Sequence, residues 1–123
     1  MWVALDESNK IVGHIALDAH AWRRAQESKD TNSTDYNQYI ERITELRRCS
    51  VSTECRNRGI GRLLVNHLIK HAKEKLNAKC VFLTTTSVQR PAIKLYQKCG
   101  FKIVGYLDQI LANIMIVKME IYL

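Results

Sequence analysis

The stretch Arg56-Asn57-Arg58-Gly59-Ile60-Gly61-Arg62 joins a β-rich segment to a long amphipathic one. Its two glycines let the backbone turn tightly and approach a ligand without intervening side chains. The first turn of a helix carries unpaired N–H groups and the positive end of the helix dipole. With three arginines around that turn, the stretch predicts a cradle for a pyrophosphate. The alternative is a glycine turn before a surface helix with solvated arginines.

A strand-helix-strand unit surrounds this stretch. The preceding residues predict a strand over about Glu45–Ser52. The following residues predict a helix over about Gly59–Leu76, because apolar side chains recur at i, i+4 and i+8. The run Cys80–Leu83 is apolar throughout, as is typical of a strand buried on both faces. Two strands joined by one helix predict a parallel pair with a right-handed crossover.

The N-terminal part predicts an antiparallel hairpin, with strands over Trp2–Leu5 and Ile11–Leu17 joined by a polar turn. From about residue 18 to residue 44 the chain is polar, with a short helix predicted near Ala21–Glu27. A loop of this length is either functional or disordered. Asn32-Ser33-Thr34 within it is a glycosylation sequon, which matters only if the loop faces a lumen.

The C-terminal part predicts a short helix and a second antiparallel pair. A helix over about Pro91–Lys98 is expected, since proline suits a first turn and Gly100 can be left-handed just after it. Phe101–Tyr106 and Ile114–Tyr122 predict the two strands. We therefore expect one α/β (α+β) domain over residues 1–123, with a mixed sheet of about six strands, antiparallel except for one parallel pair.

The composition is ordinary for a soluble globular protein, with 46% hydrophobic and 25% charged residues. A net charge of +7 is compatible with nucleic acid, an anionic membrane or a phosphorylated ligand. Nucleic acid is disfavoured, because no aromatic stacking platform or recognition motif is visible. No secretory signal or membrane-length apolar run is visible either. We expect a soluble chain that is cytoplasmic by default.

The cysteines and histidines do not predict a metal site. No CxxC pair is present, so free thiols are expected. His67 and His71 share a helix face without carboxylate partners at a useful spacing, and they are interpreted as surface residues. The cysteines are Cys49, Cys55, Cys80 and Cys99.

Two motifs resemble the GNAT superfamily of N-acetyltransferases. R-x-x-G-x-G at 56–61 is similar to the acetyl-CoA signature of that family. At the expected distance, AIKLYQKCGF at 92–101 resembles its A-x-x-L-Y-x-x-x-G-F segment. The ending Val117–Glu120 is similar to its closing strand. The resemblance covers nearly the whole chain except the polar loop.

Within the superfamily the chain is most similar to the camello, or NAT8-like, branch, through Trp2–Ala4, Glu45–Val51 and Gln89, which stands where many members have asparagine. The family fold normally begins with a strand and two helices that help to form the acceptor site. We expect these to be missing, so that the chain is a fragment, a short isoform, or a domain completed by another subunit. A longer, anchored form would be associated with a membrane or the endoplasmic reticulum.

The resemblance implies transfer of an acetyl group from acetyl-CoA to a primary amine, with no metal. The acceptor would be a lysine side chain or the α-amine of a cysteine conjugate. Direct attack in a ternary complex would suffice, because proximity and orientation replace a covalent intermediate. The alternative is a catalytically incomplete module that binds CoA or a protein partner.

Two catalytic roles follow from the resemblance. Tyr96 would be the acid at the departing CoA thiolate, the alternative being a tyrosine that packs in the core. Glu45 would be the base, since it precedes Gly59 by the spacing of the histone-acetyltransferase glutamate. Arg47 lies two residues further along the same strand face and would weaken Glu45 as a base. A structural ion pair and a water relay are the alternatives for Glu45.

The remaining assignments concern cofactor binding. Cys49 and Val51 would pair with pantetheine through their backbone, where the third strand separates from its parallel neighbour. Gln89 would hydrogen-bond CoA. The residues expected to hold the phosphates are Arg56, Asn57, Arg58, Gly59, Ile60, Gly61 and Arg62.

Overall fold

Six strands form one sheet in the computed structural model, which describes residues 1–19, 43–111 and 113–123, with the backbone alone at 108–111. They run across the sheet in the order β1-β2-β3-β4-β6-β5. Among the described strands only β3 and β4 are parallel, so the predicted fold class is confirmed. The strands are β1 (Trp2–Leu5), β2 (Ile11–Asp18), β3 (Ile43–Val51), β4 (Cys80–Thr86), β5 (Lys102–Leu111) and β6 (Ile114–Tyr122).

Two α-helices follow the two parallel strands. Helix α1 spans Ile60–Glu74, after a single 3-10 turn at Thr53–Cys55, and α2 spans Arg90–Lys98. The residues predicted to begin and end this helix are confirmed. A proline lies in the first turn of α2, and Gly100 beyond its end is left-handed, with φ 107°. No helix among the described residues is long and apolar enough to cross a bilayer.

Several strands extend further than their sequence pattern predicts. Both ends of the polar segment predicted over 18–44 belong to strands, because β2 continues to Asp18 and β3 begins at Ile43. Pairing with β4 explains why β3 begins earlier than predicted. Thr44 is opposite Val81, and its hydroxyl donates to the Cys80 carbonyl at 3.1 Å. Similarly, β4 and β5 run beyond their predicted ends along β6. The helix predicted within the polar segment and the sequon lie outside the described residues.

One face of α1 supplies much of the core. The helix packs against β1, β2 and β3, as its apolar period predicts. Leu63 of α1 and Leu76, just beyond its end, were expected beside the apolar face from the sequence but are exposed. The core residues of α1 are Leu64, Val65, Leu68 and Ala72.

The edge strand β1 packs against α1 through aromatic contacts. The indole of Trp2 meets the rings of His67 and His71 edge-on, with centroids 5.6 and 4.9 Å apart. His67 is exposed, as interpreted from the sequence, whereas His71 is half-buried. The contact gives the two histidines a packing role that their spacing alone did not indicate.

A β-bulge bends β3 near its middle. Ala16 of β2 is opposite Arg48, but the next residue, Leu17, is opposite Leu46, which leaves Arg47 as the extra residue. A bulge of this kind bends its strand and increases the local twist. The parallel ladder between β3 and β4 ends at Glu45–Phe82, two residues before the bulge. Beyond that pair the two strands are not paired with each other, and the space between them is called the cleft below.

Candidate functional site

The walls of the cleft are two strands that each have a partner on one side only. Beyond Glu45, β3 continues to Val51 along β2, while β4 continues to Thr86 along β6. The facing backbone edges of β3 and β4 are not paired with each other there. An extended ligand can therefore add itself as a strand by hydrogen-bonding to these edges. Cys49 and Val51, the residues predicted to pair with pantetheine, lie on this part of β3.

The first turn of α1 closes the mouth of the cleft beside β3. Gly59 caps the helix with φ 78°, a conformation that costs other residues energy, and Asn57 is also left-handed, with φ 64°. The first helical bond runs from the Leu63 amide to the Gly59 carbonyl at 3.0 Å. The amides of residues 60–62 precede that bond. The first turn contains no acidic residue, so the positive end of the helix dipole is not neutralised there.

The two glycines of the turn have different roles. No atom lies within 4 Å of a Cβ built on Gly59, so its backbone faces open space. A Cβ on Gly61 would lie 2.9 Å from Leu95 Cδ2 and 3.7 Å from Val51 Cγ2. Gly61 therefore allows α2 to pack closely against α1 and the end of β3. The sequence-based prediction gave both glycines the role of approaching a ligand, and for Gly61 the structure adds this packing role.

The three arginines of the turn also differ. The Arg56 Nε–H donates to the carbonyl oxygen of Val51 at 3.4 Å, which occupies one of the backbone groups predicted to serve pantetheine. Arg58 and Arg62 are exposed. Arg62 lies close enough to Cys99 to lower the pKa of that thiol, although burial outweighs it and the pKa is raised. Arg56 is exposed as well, so all three cations of the turn are open to solvent.

Tyr96 lies on the buried face of α2. Its ring meets that of Phe101 edge-on, with centroids 5.9 Å apart, so it packs in the core as the alternative interpretation predicts. Cys49 lies close enough to Tyr96 for each residue to affect the pKa of the other. Burial, with Cys49 and then Cys99 nearby, raises the pKa of Tyr96, and the phenol keeps its proton at neutral pH. The hydroxyl is thus a hydrogen-bond donor beside the backbone of β3.

Glu45 lies at the last paired position before the cleft opens. Its side chain is mostly buried, and Oε2 lies 3.5 Å from Nη1 of Arg47, which is nearly half exposed. The predicted ion pair along β3 is present. Because Glu45 is opposite Phe82 at the end of the parallel ladder, its backbone is at the inner end of the cleft.

Gln89 occupies the N-cap position of α2, a few residues beyond the end of β4. It is exposed, and its side chain makes no capping hydrogen bond. It therefore lies at the opposite side of the cleft from the first turn of α1. Glu45 and Cys49 thus lie on the strand that forms one wall of the cleft, and Gln89 and Tyr96 belong to the helix that follows the other wall.

The proximity of Cys49 and Tyr96 is the feature that sequence reasoning missed. The residues are 47 positions apart, and neither motif pairs them. All four cysteines are free thiols, and Cys80 is the one that is fully buried. Burial, helped by Glu120, raises the pKa of Cys80 to about 11. Among the described residues, no group of three or more His, Cys, Asp or Glu side chains converges.

Comparison with known proteins identifies a family. The model of the acetyltransferase (GNAT) family matches residues 1–101. The chain is 31% identical over 105 residues to probable N-acetyltransferase 14 of Xenopus tropicalis, covering 85% of this chain and 42% of that protein. It is 35% identical over 104 residues to N-acetylaspartate synthetase of Danio rerio, covering 85% of this chain and 30% of that protein. The chain thus spans less than half the length of these relatives.

A solved structure shares the fold. The spermidine N-acetyltransferase of Vibrio cholerae, in complex with CoA and spermine, superposes with a TM-score of 0.69. The likeness covers 98% of this chain and 63% of that one, at 22% identity. At this identity the comparison shows the fold alone.

Proposed function

The chain belongs to the GNAT family of acetyltransferases, and from that premise we propose that it binds acetyl-CoA between β3 and β4 and transfers the acetyl group to a primary amine. The observation that carries the proposal is the end of the parallel ladder at Glu45–Phe82, beside a glycine-capped helix terminus. An open backbone edge next to an anion-binding helix end suits a ligand that is extended at one end and phosphorylated at the other.

The phosphates of acetyl-CoA are assigned to the first turn of α1. Its leading amides and the helix dipole favour an anion, and no acidic side chain in that turn opposes one. Arg58 and Arg62 supply exposed positive charge on either side of Gly59. Arg56 contributes indirectly, because it holds the Val51 carbonyl at the end of β3. Pantetheine would then run inward along β3, past the backbone of Cys49.

Charge reversal at Arg58 tests this assignment. We expect Arg58→Glu to weaken acetyl-CoA binding about tenfold or more, equivalent to roughly 1.4 kcal/mol, because an anion would then face the phosphates. Lys70→Glu makes the same charge change on an exposed position of α1 about 15 Å further along the helix, and it should have little effect. Gly61 is less suitable for substitution, since it supports α2.

Calorimetry measures both variants, and a second ligand separates local from global effects. S-Acetyl-pantetheine has no pyrophosphate, so Arg58→Glu should bind it as well as the unchanged chain does. Equal losses for Arg58→Glu and Lys70→Glu would contradict a local phosphate site and indicate a general effect of net charge.

Tyr96 is proposed to assist departure of the CoA thiolate. Its raised pKa lies above the ordinary thiol range, so complete proton transfer to the thiolate is uphill. The same raised pKa keeps the hydroxyl protonated and able to donate a hydrogen bond to the sulfur as negative charge develops. The structure therefore favours hydrogen-bond stabilisation over full transfer before bond cleavage. The packing of the ring against Phe101 fixes where this donor lies.

Substitution of Tyr96 by phenylalanine removes the donor and keeps the ring. We expect kcat to fall by at least about tenfold, the lower part of what acid catalysis is worth, with little change in acetyl-CoA affinity. Steady-state kinetics beside a thermal melt measures this. A folded Tyr96→Phe chain with unchanged kcat at all pH values, when chemistry limits the rate, would leave Tyr96 a core residue only.

Glu45 is proposed as the base that takes a proton from the amine, directly or through water. Glu45→Gln keeps the shape and removes the base, whereas Arg47→Gln breaks the same ion pair and keeps the carboxylate. We expect kcat to fall by about 10²-fold or more in Glu45→Gln, the lower part of what base catalysis is worth. Arg47→Gln should change it little. Equal effects of both substitutions on kcat would indicate that the ion pair is structural.

The acceptor is proposed to be an amine that also carries a carboxylate, such as an α-amino acid or the cysteine conjugate suggested by the branch resemblance. Arg48 is exposed on β3, three residues beyond Glu45, and a cation there attracts a carboxylate and repels a polyamine. The name of the Danio rerio relative, N-acetylaspartate synthetase, supports the same class. The alternative acceptor is a lysine side chain in a protein.

A panel of amines distinguishes the proposed enzyme from a module that binds CoA without turnover. Release of CoA thiol from acetyl-CoA should be faster with α-amino acids than with spermidine or a lysine peptide at equal concentration. Preference for spermidine would contradict the acceptor class. Tight acetyl-CoA binding with no thiol release for any amine would favour the catalytically incomplete module.

A further inference from the structure

The face of the sheet that points away from the core carries a row of charged and aromatic side chains across β3, β4 and β6. Val81 and Leu83 of β4 belong to the buried cluster, so Phe82 between them points to the other face. Phe82 is opposite Glu45 of β3 on one side and Glu120 of β6 on the other. Directly paired residues of adjacent strands share a face, and this row therefore joins the proposed base to β6.

Lys118 lies over this row from the next position on the same face of β6. Its Nζ lies 5.1 Å from the centroid of the Phe82 ring and 3.3 Å from Oε1 of Glu120. The hydroxyl of Tyr122 donates to Oε2 of the same carboxylate at 2.9 Å. The carboxylate and the ring therefore hold the ammonium above Phe82, while 34% of the Lys118 side chain stays exposed and open to a ligand.

Lys118 is beside the cleft. It is opposite Thr84, which lies on β4 two residues beyond the last pair of the parallel ladder, Glu45–Phe82. Neighbouring strands are about 4.8 Å apart, so the backbone of β6 lies about 10 Å from that of β3 across β4. An α-amino acid that makes a hydrogen bond of about 2.9 Å at each end spans about 9 Å. The spacing of the two strands thus suits one amino acid that bridges them over Phe82.

We propose that Lys118 binds the carboxylate of the acceptor, and that the acceptor is an α-amino acid held across Phe82 with its amine towards Glu45. The inference rests on the proposed function, since it names the group that selects the acceptor class. An ammonium has three N–H donors, so Lys118 can bind a second carboxylate while it keeps Glu120. A carboxylate fixed on β6 directs the amine back towards β3, where the proposed base lies.

Arg48 is a second cation near this row, and its role differs from that of Lys118. It is exposed and follows the bulge on β3, the strand that carries Glu45. From there its charge attracts anions to the surface. Lys118 is already held by Glu120 and Phe82, so it loses less freedom when a ligand binds. The preorganised cation is therefore better suited to fix the direction of the acceptor.

Pairs of acceptors that differ only in the carboxylate test the role of Lys118. The probes are L-aspartate, L-leucine and L-phenylalanine, each beside its α-carboxamide, which keeps the amine and removes the charge. Lys118→Gln should raise the KM for the acid that is turned over best by about tenfold or more, the worth of a charge-assisted hydrogen bond. The KM for the matching carboxamide should rise much less. Lys118→Arg keeps the charge and should recover part of the loss. Steady-state release of CoA thiol measures all three chains.

Glu120 supplies a variant with the opposite expected sign. In Glu120→Gln the ammonium loses a competing carboxylate, so the KM for the acid should fall by roughly two- to fivefold, the scale of an ion pair at a protein surface. A purely structural pair between Lys118 and Glu120 predicts the same direction for both substitutions. Lys102→Gln is the matched control and should leave the preference for acids unchanged. Lys102 is exposed and opposite Glu120 on β5, on the side of β6 away from Phe82.

The outcomes distinguish this inference from the proposed function. If the unchanged chain acetylates the carboxamides as well as the acids, the proposed acceptor class fails and the role of Lys118 fails with it. If acids are preferred and Lys118→Gln keeps that preference, or if Arg48→Gln alone removes it, only the role of Lys118 is overturned.

Calorimetry decides in a chain that binds acetyl-CoA without turnover. The same six compounds are titrated into the chain loaded with CoA. At least one acid should bind more tightly than its carboxamide, and Lys118→Gln should abolish the difference. Equal binding of acids and carboxamides, or a difference that persists in Lys118→Gln, overturns the inference.

Discussion

The divergence of β3 from β4 is the constraint on which the rest of the structure depends. The parallel ladder ends at Glu45–Phe82, although both strands continue beyond that pair. The bulge at Arg47 explains the divergence, because an extra residue on β3 bends the strand while β2 stays paired with it. Each diverging strand keeps its outer partner, so the sheet remains continuous at its edges while it opens in the middle.

Each of the two strands that border the cleft is followed by a helix. Helix α1 begins just past the end of β3 and α2 just past the end of β4, so two helix beginnings lie at the mouth of the cleft. For α1, the left-handed Gly59 turns the chain, and Gly61 lets Leu95 of α2 pack against the helix. One glycine therefore serves the direction of the backbone and the other the spacing of the helices. The motif GxG combines the two requirements in three residues.

The sequence was sufficient to predict the elements and their order along the chain, because apolar periodicity and the residues that begin or end helices are local properties. The helix after Gly59, the apolar strand beginning at Cys80 and the left-handed Gly100 are of this kind. The bulge at Arg47 could not be predicted, since it is a property of the β2–β3 register rather than of either strand. For the same reason the contact of Gly61 with Leu95 could not be read from the motif. Both depend on residues that are distant in the chain.

Tyr96 shows why core packing and chemistry are not competing interpretations of one residue. A donor that must meet a particular sulfur atom gains from a ring that cannot move, and burial against Phe101 supplies that immobility. Burial also raises the pKa of the phenol, which keeps the proton available as a hydrogen-bond donor. The same packing that makes Tyr96 part of the core therefore gives its hydroxyl a fixed position and keeps its proton available to donate.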